Sequence, residues 1–368
     1  MPPQKDGLCY PTGHDGVFGS PPKFGHIITA QKPSLPDENH NYNKKYDDII
    51  LQPFDYYLQL PSKNIRKRIA DIFNYWYKCE PNELDEMSKA MQDLHNASLI
   101  IDDIEDGSDL RRGKPAAHIR YGLPLSLNAA NYVYFEAMKR IVDAKGLGAG
   151  PEEKLKAVMD FINGMMLMHV GQGMEIFWRD ENLKLDHSDV ANIFKNIPTE
   201  EEYFKVIVQK TAEQFSMLAD MLKDRSNTLY KDKAALSTYE LAQTMGYHFQ
   251  IRDDLLNLIS NTYEAGKGYC EDITEGKYSF PIIYALNQYK DQGPAGLQKA
   301  SRLLQIMRMR TTDLDLKKEA FQIIQESGAF EYTKRILRVY HKKIGREVLR
   351  LGGNPVFRKY IDIFSEVM

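Results

Sequence analysis

Residues 94–106, LHNASLIIDDIED, run an apolar helical stretch directly into four acidic side chains, and the fold is read outward from that junction. On a helix, positions three and four apart share a face. Asp102 and Asp106 therefore project together, with Asp103 beside Asp106. Far later the pattern returns: the apolar YHFQI precedes Asp253-Asp254-Leu255-Leu256-Asn257, and Gln250, Asp253 or Asp254, and Asn257 form a second polar stripe. Like charges one turn apart cost a helix about 0.2–0.5 kcal/mol, and more where water is scarce. One such run alone reads as a solvated helix end. Two, each ending an apolar helix, make sense with something cationic between them. Mg²⁺ suits them, being hard and usually held by one or two carboxylates plus substrate phosphates. An EF-hand loop is excluded, because Ile104 takes a position that needs an oxygen ligand.

The rest of the chain supports a helical fold. From Asp47 onward apolar spacing is helical: Ile65, Ile69, Ile72 and Phe73 form one stripe, and Met87, Met91, Leu94, Ala97 and Ile101 another. Alternating β-branched strand signals are almost absent. Breaks fall at Cys79-Glu80-Pro81, between Gly146 and Pro151, near Asp180 to Pro198, and at Gly352-Gly353-Asn354-Pro355. Residues 1–45, rich in Pro, Gly, His and Asn, read as a flexible tail before one all-α domain, residues 46–368, around a central cavity.

Composition bounds the partners. A net charge of −3 with no dense basic stretch argues against nucleic acid. Three scattered cysteines, Cys9, Cys79 and Cys270, suit a reducing compartment and neither a disulfide framework nor a zinc site. No apolar run is long enough to span a bilayer, and no secretory or transit signal opens the chain, so the expected setting is cytoplasmic.

Acidic clusters that bind a metal-phosphate need basic side chains to finish neutralising the anion. Arg111-Arg112-Gly113-Lys114 follows the first cluster, where paired guanidiniums grip phosphate bidentately. Lys63 and Arg66 sit where a helix starts, which adds its own donors. His95 lies two helical turns before Asp102, on the same stripe. Singly, each is as readily a cap, a surface ion pair or a core histidine.

Together these segments are recognisable. HNASLIIDDIEDGSDLRRGKPAAH, GQGMEIFWRD, FQIRDDLLNL and EDITEGKYSFPIIYAL resemble the trans-isoprenyl diphosphate synthases. The likeness is greatest to the fungal geranylgeranyl diphosphate synthases and to the prenyltransferase halves of fungal chimeric terpene synthases. It runs from about Asp47 to the C-terminus. It implies an isoprenoid-synthase-type all-α bundle in which two aspartate-rich helices face each other across a deep cleft and three Mg²⁺ ions bridge them to an allylic diphosphate. By motif position Asp102, Asp106 and Asp253 would ligate metal, and Asp103 and Asp254 would support water or lysine contacts. Arg111, Lys210, Thr211, Gln250, Asn257, Lys267 and Lys277 would surround the allylic diphosphate. Lys63, Arg66, His95 and Arg112 would form the metal-free pocket for isopentenyl diphosphate. The resemblance also implies a homodimer.

The implied chemistry is head-to-tail condensation of isopentenyl diphosphate with dimethylallyl, geranyl or farnesyl diphosphate to all-trans geranylgeranyl diphosphate. Small residues at Ala97 and Ser98, about one turn before Asp102, would let a growing chain pass, for a C20 product; they equally suit close helix packing. The facing segment Asn131–Met138 is another place for the cavity floor. Farnesyl or C25–C30 products, a class I terpene cyclase and a non-catalytic partner subunit are the competing readings. A cyclase has no use for a second diphosphate pocket, and a non-catalytic subunit would be expected to lack acidic ligands. The chain departs from the family pattern twice. Ala212-Glu213 stand where two glycines are usual after Lys210-Thr211, and Leu183–Ile197 reads as an insertion.

Overall fold

The computed structural model describes residues 41–144, 150–184, 194, 196–226, 231–259, 269–361 and 363. The chain divides into a unit of residues 1–47 and a unit of residues 48–368. Helix α1 (Asn41–Ile50) carries the end of the first. The larger unit is all-α among the described residues except for one two-residue hairpin. No helix among the described residues is long and apolar enough to cross a membrane.

Sequence punctuation sets the helices. After α2 (Gln52–Gln59), α3 (Ile65–Tyr77) stops before Cys79-Glu80, and α4 (Pro81–Asp106) begins with a proline whose missing N–H costs nothing there. Helix α4 ends at Gly107, φ +65°, whose N–H closes on the Asp103 and Ile104 carbonyls. The first acidic motif is therefore the last turn of a 26-residue helix that has no basic residue in that turn. Three aspartates at the negative end of a helix dipole are an unfavourable arrangement unless cations come from elsewhere.

The hairpin supplies one. Strands β1 (Leu110–Arg111) and β2 (Lys114–Pro115) pair Arg111 with Lys114. The turn between them holds Arg112 at φ 54° and Gly113 at φ 76°, as a two-residue turn with both central residues left-handed requires. The sequence held no alternating signal for so short a pair.

Helices α5 (Ala117–Tyr121), α6 (Leu123–Asp143) and α7 (Pro151–Lys184) follow. Helix α8 (Glu200–Ile207) opens on a capping box between Thr199 and Glu202. It runs into a π-helical segment, Val208–Ala212, and then α9 (Glu213–Asp224). Helix α10 (Lys231–Ile259) carries the second acidic motif near its end. The rest comprises α11 (Glu271–Glu275), α12 (Phe280–Lys290), α13 (Gly293–Arg308), α14 (Leu314–Glu326), α15 (Ala329–Arg350) and α16 (Pro355–Lys359).

Helix α10 organises the core. Leu241, Ala242 and Met245 join a cluster with Ile69, Phe73, Met87 and Met91, while Ile251, Leu255 and Leu258 join another with Ile282, Leu303 and Ile324. A third cluster packs Phe54 and Tyr57 with Ala97, Ile100, Ala130 and Val133. Both expected apolar stripes face inward, although Ile101 is only half-buried. Most of the Leu183–Ile197 insertion lies outside the described residues.

Candidate active site

The first acidic motif splits into two roles. Asp103 is fully buried. Its carboxylate accepts from Arg111 Nε at 2.8 and 3.0 Å, from Arg111 Nη2, and from the Tyr57 hydroxyl. Its protein partners are thus an arginine and a tyrosine, and Arg111 is largely committed to it. Asp102 and Asp106 stay half-exposed. Asp102 accepts from Gln172 Nε2 at 3.3 Å, Arg111 Nη2 at 3.3 Å and Lys210 Nζ at 3.4 Å. Asp106 accepts from Arg179 Nη1 at 2.9 Å. Burial, then Asp102 and Glu275, push the Asp106 pKa well above its ordinary range, against Lys210 and Lys277. That corner holds more negative charge than its surroundings solvate.

The second motif repeats the split. Asp254, also buried, accepts from the Tyr203 hydroxyl at 2.6 Å, the Phe280 amide at 2.9 Å, Gln250 Nε2 at 2.9 Å and Lys277 Nζ at 3.4 Å. Here the lysine contact is present. Asp253 is half-exposed and raises the pKa of Arg66. Asn257 turns the other way: its carbonyl oxygen accepts from the Asp272 amide at 3.0 Å, and the Asp272 carbonyl accepts from the Lys277 amide at 2.8 Å. Asn257 thereby braces the turn that carries Lys277. Lys267 lies outside the described residues.

The π segment joins the two motifs. Lys210 Nζ donates to Glu175 at 2.6 Å as well as to Asp102, and the Thr211 hydroxyl donates to Gln250 Oε1 at 2.6 Å, which leads to Asp254. Burial opposes the charge on Lys210 and on Lys277. Glu175 and Asp102 outweigh it for the first, Asp254 and Asp272 for the second, so both pKa values rise. Sequence reading missed Gln172, Glu175 and Arg179 as individuals. They sit three and four apart on α7, inside the GQGMEIFWRD motif, and that spacing was the available signal.

A second cationic group adjoins Asp253. Arg66 is buried and donates Nε and Nη2 to Gln214 Oε1 at 3.2 and 2.8 Å, a neutral partner. Burial pulls its pKa down to about 9, Arg112 adds to the drop, and Asp253 opposes it. His95 has no hydrogen-bond partner at its buried Nδ1. Burial and the guanidiniums of Arg66, Arg112 and Arg111 hold it well below its usual pKa, hence neutral. Arg112 Nη1 donates to the Leu60 carbonyl at 3.3 Å, just before the loop that carries exposed Lys63. Concentrated positive charge with a neutral hydrogen-bond partner is electrostatically suited to an anion.

The two residues of the Ala212-Glu213 departure sit differently. The Ala212 methyl lies against Gly246 of α10, which has no side chain to meet it. Glu213 lies in the field of Asp220 and acts on Tyr239. Burial first, then Asp220, push Glu213 up to about 7 from an ordinary 4.5. For an acid raised in this way, the stabilisation is complete below the unfolded value of 4.5 and is lost as pH rises through 7. Glu213→Gln is expected to remove the high-pH penalty, about 1 kcal/mol after discounting for partial exposure. Thermal unfolding should shift up by about 1–2 °C near pH 8 and not near pH 4. Equal shifts at both would contradict this.

Residues 47–324 match the polyprenyl synthetase family model. The chain is 38% identical over 320 residues to a geranylgeranyl pyrophosphate synthase of Dictyostelium discoideum, covering 86% of this chain and 93% of that protein. It is 37% identical to a geranylgeranyl pyrophosphate synthase of Mucor circinelloides f. lusitanicus, covering 89% and 97%. A terpene synthase of Matsumurasca onukii is 38% identical, covering 86% and 93%. With the family match spanning most of the chain, and relatives this similar matched over nearly their whole length, the protein belongs to the polyprenyl synthetase family.

Proposed function

We propose that the chain condenses isopentenyl diphosphate with an allylic diphosphate, Mg²⁺-dependently, and releases all-trans geranylgeranyl diphosphate. The observation that carries this reading is a pair of hydrogen-bonded chains, Asp102–Lys210–Glu175 and Thr211–Gln250–Asp254–Lys277, that start from adjacent residues of the π segment, beside the guanidiniums of Arg66 and Arg112 with neutral His95. One site is mixed in charge and the other is cationic. That pairing fits two diphosphates, one held with metal and one without. It also favours condensation over cyclisation, which has a single diphosphate to bind.

The donor set fits a hard divalent ion. Among the described residues no three metal-ligating side chains are grouped closely enough to cage one alone. Mg²⁺ is commonly held by few carboxylates together with substrate phosphates. Asp102 and Asp106 would hold it on one side and Asp253 on the other. Three ions per site is the family expectation we adopt. Bound there, the ions would stabilise the departing diphosphate.

The chain's own residues do the rest. Lys210 and Lys277 direct two cations at the leaving group, and Thr211 and Gln250 fix the π segment. Arg66, Arg112 and Lys63 hold isopentenyl diphosphate so that its double bond attacks the allylic carbon. The proton lost passes to the released diphosphate, so no separate base is needed. Phe249, partly buried in the core cluster and edge-on to Phe215 at 5.9 Å, is chiefly core.

Chain length is assigned to the wall behind Asp102. Ala97 is fully buried in the cluster with Tyr57 and Val133, so a phenylalanine there overpacks at about 1–3 kcal/mol before it meets substrate. Ser98 is half-exposed, its hydroxyl donating to the His95 carbonyl at 2.8 Å. Ser98→Phe is expected to shift the product toward farnesyl diphosphate; an unchanged product spectrum would move the floor elsewhere, for instance to Tyr134, which senses Asp102 and Glu105.

The assembly is a homodimer through α6 and α7. Leu155, Met159, Ile162, Met166, Val170 and Phe177 make an exposed apolar stripe along α7, and Phe135 on α6 is 68% exposed. So long a run along one helix matches a partner surface of the same kind. Sedimentation under active conditions should give a dimer; a monomer would defeat this. The activity itself is tested by incubating purified protein with isopentenyl diphosphate, each allylic starter and Mg²⁺, then sizing the dephosphorylated alcohols. Geranylgeraniol is expected. Absence of any prenyl alcohol, or only cyclised hydrocarbon, would overturn the reading.

A further inference from the structure

A π-helical stretch widens a helix by one residue per turn, packs poorly by itself, and persists where its surroundings impose it. Val208–Ala212 is such a stretch, and both of its polar side chains named above reach the site: Lys210 toward Glu175 and Asp102, Thr211 toward Gln250. Two glycines touch its backbone. A Cβ on Gly171 of α7 would lie 2.7 Å from the Lys210 nitrogen and 3.0 Å from the Val206 carbonyl oxygen. A Cβ on Gly246 of α10 would lie 2.3 Å from the Ala212 Cβ and 2.4 Å from its Cα. These are backbone atoms and one alanine Cβ, which the backbone fixes, so no flexible side chain can swing aside to make room. By contrast, a Cβ on Gly164 would strike the end of Met217, which can move, and one on Gly173 would meet nothing within 4 Å.

We infer that Gly171 and Gly246 are positioning residues for catalysis: they let α7 and α10 close on the π segment and so fix Lys210 and Thr211 on the allylic diphosphate. The inference rests on the functional reading given above. A methyl group at either position displaces the segment by about 1 Å, a misplacement that can cost about 10²-fold in rate. The isopentenyl pocket stands mainly on α3, α4 and the hairpin; its one tie to this region is Arg66 on Gln214, beyond the segment on α9, so the shift reaches that pocket less directly than it reaches Lys210 and Thr211.

Steady-state kinetics on Gly171→Ala, Gly246→Ala, Gly173→Ala and Lys210→Ala test it. Gly171→Ala and Gly246→Ala should raise KM for the allylic substrate and lower kcat, with kcat/KM down about 10²-fold. KM for isopentenyl diphosphate should rise much less than the allylic KM, and Gly173→Ala should behave as the natural protein. Should the alanine variants not fold, Ala212→Gly serves in their place. It removes the methyl that Gly246 accommodates, and should raise the allylic KM several-fold and the isopentenyl KM much less. A severe Lys210→Ala with silent glycine-site variants, or an equal rise in both KM values, overturns the positioning role. A silent Lys210→Ala instead overturns the site assignment on which that role depends.

Discussion

Asp102→Ala and Asp253→Ala should each lower kcat by about 10³-fold with helical content intact, because each removes a carboxylate that stabilises charge developing in the reaction. Asp102 is not a principal structural support. It is half-exposed, and Lys210 keeps its shorter contact to Glu175 at 2.6 Å when Asp102 is gone. The adjacent aspartates should behave otherwise. Asp103→Ala strands buried Arg111 and the Tyr57 hydroxyl, and breaking a buried ion pair costs about 3–5 kcal/mol. Thermal unfolding therefore separates the members of each Asp-Asp pair: a large loss of stability at Asp103 and little at Asp102. Full activity in Asp102→Ala, or equal destabilisation at both positions, would contradict the division of roles.

The second large effect is expected at Arg66. Arg66→Met keeps an unbranched stem of similar reach among Phe215 and its neighbours but deletes the guanidinium. A charge-assisted hydrogen bond contributes about 1.5–3 kcal/mol, so KM for isopentenyl diphosphate should rise about 10–100-fold while the allylic KM stays near its natural value. Arg66→Lys should be an incomplete substitute, since a lysine cannot form the planar fork that now meets Gln214. An allylic KM that rises in parallel would place Arg66 in the other site.

Much of this was legible in the sequence because helix periodicity and acidic spacing are local. The breaks at Pro81 and Pro355 fall where helices begin, and Asp102 and Asp106 share a face because they are four apart. The roles of Asp103 and Asp254 were not legible. Their burial depends on Tyr57 and Tyr203, far off in the chain, and spacing within a motif carries no information on such contacts. The contact of Asn257 was not legible for the same reason: its partner is the backbone of Asp272, across a connection between helices. Gln172, Glu175 and Arg179 had a readable period of three and four, but they were interleaved with apolar residues that remain exposed on α7. The π segment had no sequence signal of its own, because the packing that imposes it comes from two other helices.

The most direct measurement is calorimetric binding of an unreactive allylic thiolodiphosphate, with and without Mg²⁺, to the natural protein, Asp102→Asn, Asp253→Asn and the double variant. If both acidic helices act on one metal-bound diphosphate, affinity depends on Mg²⁺, each single variant loses most of it, and the double variant loses little more than either single one. Affinity independent of Mg²⁺, or losses that simply add, would mean that the two aspartate clusters serve separate sites.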